Sequence, residues 1–146
     1  MTLYHFCSAK CIRGIMTDGI TRGMVPGYKL IAAPRGGTTG VYVVNKGWQW
    51  LTLDGEPNGQ SWATSDVIKE NRLEYRLTVE IPEKELDSLY DKEKFLTVFP
   101  NHAPLFDPWE GSKNWRIYRG NISKYWIKKA EHWNPETNEW EKYRKR

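Results

Sequence analysis

The sequence lacks any apolar run near the roughly 18 residues that a membrane helix needs, and it opens on no signal peptide. Both absences point to a cytoplasmic protein with no membrane partner. Cysteine is scarce: Cys7 and Cys11 are the only two, four residues apart. Zinc usually takes four ligands at recognisable spacing, and His5-x-Cys7-x3-Cys11 offers three at most, in awkward geometry. Buried free thiols and no metal site are therefore expected. Internal repeats and low-complexity segments are also missing, which excludes solenoid and linker architectures. Acidic charge falls slightly short of basic charge, leaving a net +4. Lys142, Arg144, Lys145 and Arg146 make a basic tail of the kind that is usually a solvated end.

What is abundant is aromatic. Eight Trp and eight Tyr in 146 residues exclude a disordered composition, despite a mean hydropathy of -0.72. The length suits one domain, 1–146, able to bury a core without staples.

Leu3–Ser8 reads as a short strand ending in an N-cap, and His5 is its one charge-bearing imidazole. Ile12, Ile15, Met16 and Ile20 then repeat at helical spacing, with Gly19 as C-cap, so a helix is expected over about 8–18. Thr21–Gly40, dense in Gly and Pro, reads as a loop with at most a short strand at Tyr28–Ala32. Within it Arg35–Gly40 lacks the spacing of a phosphate-binding loop and reads as a flexible connection. Strands are expected at Val41–Val44 and Trp48–Leu53, turns at Asp54-Gly55 and Pro57-Asn58-Gly59, and irregular structure or a short helix at Gln60–Asp66.

Leu73–Ile81 alternates apolar and polar residues and is the clearest strand; Pro82 stops it, and a short helix follows over Glu83–Tyr90. Phe95–Phe99 reads as extended, and Pro100–Gly111 as a long loop carrying His102, Phe106 and Trp109. Asn114–Arg119 is a further strand, and about 127–143 a terminal β-hairpin. These elements predict an α+β fold with a mainly antiparallel sheet and a few short helices.

Tyr4-His5-Phe6-Cys7-Ser8, a helix ending Asp18-Gly19-Ile20, and later Trp50-Leu51-Thr52 together resemble the small ADP-ribosyltransferase-like proteins of bacteria and phages, which include DNA-targeting toxins. The resemblance implies a split, mostly antiparallel sheet that grips NAD in a cleft. It implies that His5 hydrogen-bonds the adenosine ribose and that Thr52 lines the nicotinamide side. A Glu is expected on the strand that Asn114–Tyr118 resembles, but Asn114 or Trp115 stands there; Glu110, four residues before Asn114, is the substitute, with Glu80 as another carboxylate. Trp48, Trp50, Trp62 and Tyr118 are aromatic candidates for stacking on the nucleotide, a role that competes with plain core packing. Arg13, Arg22, Arg35 and Arg72 are candidates for the pyrophosphate, whose oxygens match the guanidinium fork.

The function so implied is a transferase that moves ADP-ribose from NAD to a nucleic-acid or protein acceptor. Basic charge with interleaved aromatics supports a different class, a non-enzymatic nucleic-acid-binding module. An accessory protein of a phage or mobile element is a third reading.

Overall fold

The computed structural model describes residues 1–56, 73–107 and 111–144, with backbone alone at 27–30 and 42. Its elements run β1 (Thr2–Cys7), α1 (Ala9–Asp18), β2 (Met24–Ala32), β3 (Thr38–Lys46), β4 (Trp48–Thr52), β5 (Tyr75–Glu80), β6 (Leu89–Tyr90), α2 (Lys92–Val98), β7 (Trp115–Arg119), β8 (Ile127–Asn134) and β9 (Glu139–Lys142). Seven strands form one sheet in the order β6-β7-β4-β1-β5-β8-β9, with every neighbouring pair antiparallel. Strands β2 and β3 stand apart as a two-stranded ribbon. The α+β class and the antiparallel sheet are as the sequence pattern predicts.

Because side chains alternate across a strand, the sheet sorts its residues onto two faces. One face carries Leu3, Cys7, Leu51, Leu77, Val79 and Tyr118, covered by Ile12 of α1 and by Ile20 and Ile122. The other carries Trp48, Trp115 and Ile117, covered by Phe95 of α2 and by Phe106 and Val25. The second core is built from ring edges: Trp48 meets Tyr90, Phe95 and Phe99 at centroid distances of 5.1, 5.5 and 5.5 Å, each T-shaped. Such pairs contribute about 0.5–1.5 kcal/mol each beyond the area they bury. Three of the eight tryptophans, Trp48, Trp50 and Trp115, belong to this core.

The helix α1 follows its spacing: Ile12 is buried, Ile15 packs on the core, and Gly19 ends it at φ 88°. Met16 departs from the expected apolar face and is exposed. Ser8 occupies the N-cap position, but its hydroxyl bonds the Cys11 Sγ at 3.7 Å rather than a backbone amide. Cys7 is buried as expected, whereas Cys11 is exposed; both are free thiols.

Four segments correct the sequence expectation. Thr21–Gly40 is mostly the ribbon, not a loop. Each strand of a two-stranded ribbon has one unpaired edge, where the N–H that Pro26 lacks is not required. The turn is made by Gly36 and Gly37 at φ 94° and 73°. Phe95–Val98 is helical, with Phe99 as the C-cap, because Asp91 caps α2 by accepting the Lys94 N–H at 2.8 Å, and that outweighs the β-propensity of Thr97 and Val98. Glu83–Ser88 is a 3-10 helix only, and Leu89–Tyr90 leaves it to pair with β7. Pro100–Leu105 is likewise a 3-10 helix, and it carries His102 into the interior, with Phe106 buried just beyond it. The turn expected at Pro57-Asn58-Gly59 and the segment Gln60–Asp66 lie outside the described residues.

Candidate functional site

The sheet changes character between β1 and β4. β1 pairs with β5 along its whole length, from Thr2↔Glu80 to Cys7↔Tyr75, but with β4 at the single position Tyr4↔Thr52. Beyond that pair, toward His5–Cys7 on one side and Trp48–Trp50 on the other, the backbones no longer pair. The His5 side chain crosses the seam instead, its Nδ1 lying 2.8 Å from the Trp50 carbonyl oxygen. A carbonyl can only accept, so Nδ1 carries the proton and Nε2 keeps its lone pair. Nε2 has no hydrogen-bond partner among the described residues. Loss of hydration inside the fold lowers the imidazole pKa below its ordinary 6.5, and the Trp50 bond opposes this more weakly. At pH 7 His5 is thus a neutral ring with one donor used and one acceptor open.

Gln49 stands on the same face of the sheet. Tyr4 and Thr52 are paired and share a face, so His5 lies on the opposite one; along β4 the residues of that opposite face are Gln49 and Leu51. Gln49 is 0% exposed. Its Oε1 accepts the Gly23 N–H at 2.7 Å, a contact that leaves Gly23 no room for a Cβ. Its amide nitrogen Nε2 has no partner among the described residues. Leaving a buried donor unmade costs about 1–3 kcal/mol. An open acceptor on His5 and an open donor on Gln49 therefore sit on one face, on the two strands that part. Gln49 was missed in the sequence. Its signal was the alternation Trp48, Trp50, Thr52 against Gln49, Leu51, which aims an amide to the side opposite both tryptophans.

The residues expected from the sequence divide between the faces. Thr52 is 4% exposed and points away from the His5 side, and its hydroxyl accepts the Asp54 N–H at 3.1 Å. Trp50 also lies on that far face. Its Nε1 donates to the Met24 carbonyl at 2.8 Å and its ring sits edge-on to Trp115 at 5.6 Å, so it is part of the aromatic core. Tyr118 shares the His5 face, two strands away on β7; its hydroxyl donates to Glu85 Oε2 at 3.2 Å. Burial, and then the Glu85 charge, raise its pKa. Glu85 is thus a carboxylate on the His5 face that the sequence pattern did not single out. Trp115, opposite Thr52, is buried in the aromatic core, and the Asn114 carbonyl accepts the Leu53 N–H. Glu80 takes the Thr2 hydroxyl and lies 3.6 Å from the terminal ammonium, at the end of the sheet. Glu110, Trp62 and Arg72 lie outside the described residues. Arg22 and Arg35 are exposed, flanking the ribbon and at its turn.

A cleft of about 1020 Å³ opens at the N-terminus of α1, four residues beyond His5. Lys10 and Arg13 line one side of it, and Glu74, Tyr75, His132 and Tyr143 the other. Tyr75 packs on His132 at 4.8 Å and edge-on to Tyr143 at 5.6 Å, while His132 Nε2 lies 3.2 Å from Glu74 Oε1. The nearby Cys7 thiol is pushed up to about 12, by burial first and then by Cys11 and Glu74. It is no nucleophile at neutral pH. Among the described residues no group of three or more His, Cys, Asp or Glu is placed to hold a metal ion.

No protein-family model, curated protein or solved structure matches the chain.

Proposed function

We propose that the chain binds NAD along the β1–β4 seam and acts as an ADP-ribosyltransferase-like protein toward a nucleic-acid or protein acceptor. The observation that carries this reading is the His5 ring, fixed by the Trp50 carbonyl at 2.8 Å so that a neutral Nε2 is left to accept from a ribose hydroxyl. The orphaned Gln49 Nε2 supplies the complementary donor on the same face. A ribose diol carries both the donor that His5 requires and the acceptor that Gln49 requires. The cleft at the N-terminus of α1, on the β5 side of β1, adds Lys10 and Arg13, with the charge that a pyrophosphate requires, and the rings of Tyr75, His132 and Tyr143, any one of which offers a face to a base.

In the reaction the bond between the nicotinamide nitrogen and C1′ of its ribose breaks and neutral nicotinamide leaves. The acceptor nucleophile then bonds C1′ and gives up its proton. Nicotinamide leaves readily, so the protein's part is orientation and stabilisation of an oxocarbenium-like ribose. Glu85, held by Tyr118, joins Glu110 as a candidate for the carboxylate that stabilises this charge.

The test is thermal unfolding with and without NAD. A ligand at ten times its Kd stabilises the native state by about 1.4 kcal/mol, which raises Tm by about 3–6 °C. Wild type is expected to show such a rise and His5→Ala none. A wild type whose Tm is indifferent to several millimolar NAD, or a His5→Ala variant that keeps the full rise, overturns the reading.

A further inference from the structure

The chain's net charge is not spread over its surface. Between Asp18 and Asp54 the sequence has no acidic residue, yet it holds Arg22, Lys29, Arg35 and Lys46. Setting these four aside from the 22 Lys and Arg leaves 18, equal to the 18 Asp and Glu of the whole chain. The entire formal charge of +4 therefore resides in this one segment. The segment is the β2–β3 ribbon and its flanks.

The ribbon is anchored at its base and free beyond it. Gly47 donates to the Gly23 carbonyl at 3.1 Å, Trp50 Nε1 to the Met24 carbonyl, and Val25 is buried in the aromatic core. From Pro34 to Val41 every residue is exposed, and Gly36 and Gly37 at the turn have open space around them. Arg22, Arg35 and Lys46 are exposed and form no salt bridge among the described residues. Arg119 extends the line of charge at the base, on β7 opposite Trp48, with its guanidinium 5.7 Å from that ring. The paired stretch, Met24↔Lys46 to Ala32↔Thr38, is about 30 Å long at roughly 3.4 Å per residue.

We infer that this ribbon is a docking arm for double-stranded DNA, laid in the major groove with its cations against the phosphates. The B-DNA major groove is about 12 Å wide and admits a two-stranded β-ribbon, whereas the deep, narrow major groove of A-form RNA does not. The ribbon holds Lys29, Arg35 and Lys46 and no carboxylate, with Arg22 just before its first strand, and so matches a polyanion and repels no part of it. The exposed Ile31 and Val41 near the turn can meet thymine methyl groups. The inference stands apart from the NAD reading, because the ribbon and the His5–Gln49 pair share no residue.

The experiment is fluorescence anisotropy with the full chain, a labelled 20-base-pair duplex and its single strand, at several salt concentrations. Wild type is expected to bind the duplex with log K falling against log salt at a slope of about −3 to −4. Between 50 and 200 mM salt that is roughly a 100-fold loss. Arg35→Glu with Lys46→Glu is expected to weaken binding at least tenfold and to flatten the slope by about 2, with unchanged circular dichroism and an unchanged NAD response. His5→Ala is expected to leave duplex affinity intact. Undetectable binding, salt-insensitive binding, binding that survives the charge reversal, or a single strand that binds as well as the duplex each overturns the proposal.

Discussion

Arg76→Ala should destabilise this protein far more than loss of a surface ion pair would. Arg76 lies on β5 and Glu131 on β8, at paired positions, with side chains 13% and 7% exposed. The guanidinium donates through Nε and Nη2 to Glu131 Oε1, at 3.2 and 2.8 Å, and through Nη1 to the Gly55 carbonyl at 2.7 Å. It also lies 4.4 Å from the Trp140 ring centroid and 5.6 Å from that of Tyr4. Truncation leaves the Glu131 carboxylate, among the described residues, with the exposed Lys129 at 3.4 Å as its remaining cation. Breaking a buried pair from one side costs about 3–5 kcal/mol, against about 0–1 for an exposed pair. At roughly 2–4 °C per kcal/mol for a chain near this size, Tm should fall by about 6–20 °C. Urea unfolding followed by tryptophan fluorescence measures the loss, and a double-mutant cycle with Glu131→Ala isolates the coupling, expected to exceed about 2 kcal/mol. A loss below about 1 kcal/mol, or a coupling near zero, refutes the claim that this pair is desolvated and joins β5 to β8.

Stability should also fall in mild acid. His5 and His102 are both held below the ordinary pKa of 6.5 by burial, and neither ring nitrogen of His102 has a hydrogen-bond partner among the described residues. The unfolded chain takes up protons near 6.5 while the folded chain does not. The stability present above that pH is therefore lost as pH falls through it toward the folded values, by up to about 1.4 kcal/mol per unit for each ring. His102→Leu should reduce the slope of stability against pH between 6.5 and 5.5, and a slope unaltered by that change contradicts the assignment. Gly19→Ala should cost more than about 2 kcal/mol: its φ of 88° is strained for any side chain, and the new Cβ would collide with the Ile122 carbonyl. A variant with wild-type Tm shows that the α1 C-terminus can move away.

The parts of the fold legible in the sequence were those where one periodicity had no rival. Leu77, Val79 and Ile81 alternate without interruption and are fully buried, and the terminal hairpin turns where Asn134-Pro135 says it should. The ribbon was hidden because Gly23, Pro26, Gly27 and Pro34 give the same signal in a loop as in a strand with a free edge. α2 was hidden because Phe95 and Phe99 suit either a strand or one face of a helix, and one capping Asp decides between them. At the site, His5 stood out as a lone imidazole in an apolar strand. Its partner could not be read, since the Trp50 carbonyl is backbone and becomes available only where β1 and β4 part. Nor does sequence spacing show that Thr52 and His5 face opposite ways; the single register pair Tyr4↔Thr52 does.

NAD binding at the seam requires a neutral His5 whose Nε2 is an open acceptor for the ribose. Nitrogen NMR of the 15N-histidine protein, with His5 assigned by His5→Gln, reads that atom directly while NAD is titrated. The expected spectrum at pH 7 has a protonated Nδ1 and an unprotonated Nε2, and the Nε2 resonance moves saturably with NAD while those of His102, which lies in the other core, stay in place. A protonated Nε2 before NAD is added, or an Nε2 resonance unmoved at several millimolar NAD, contradicts the account.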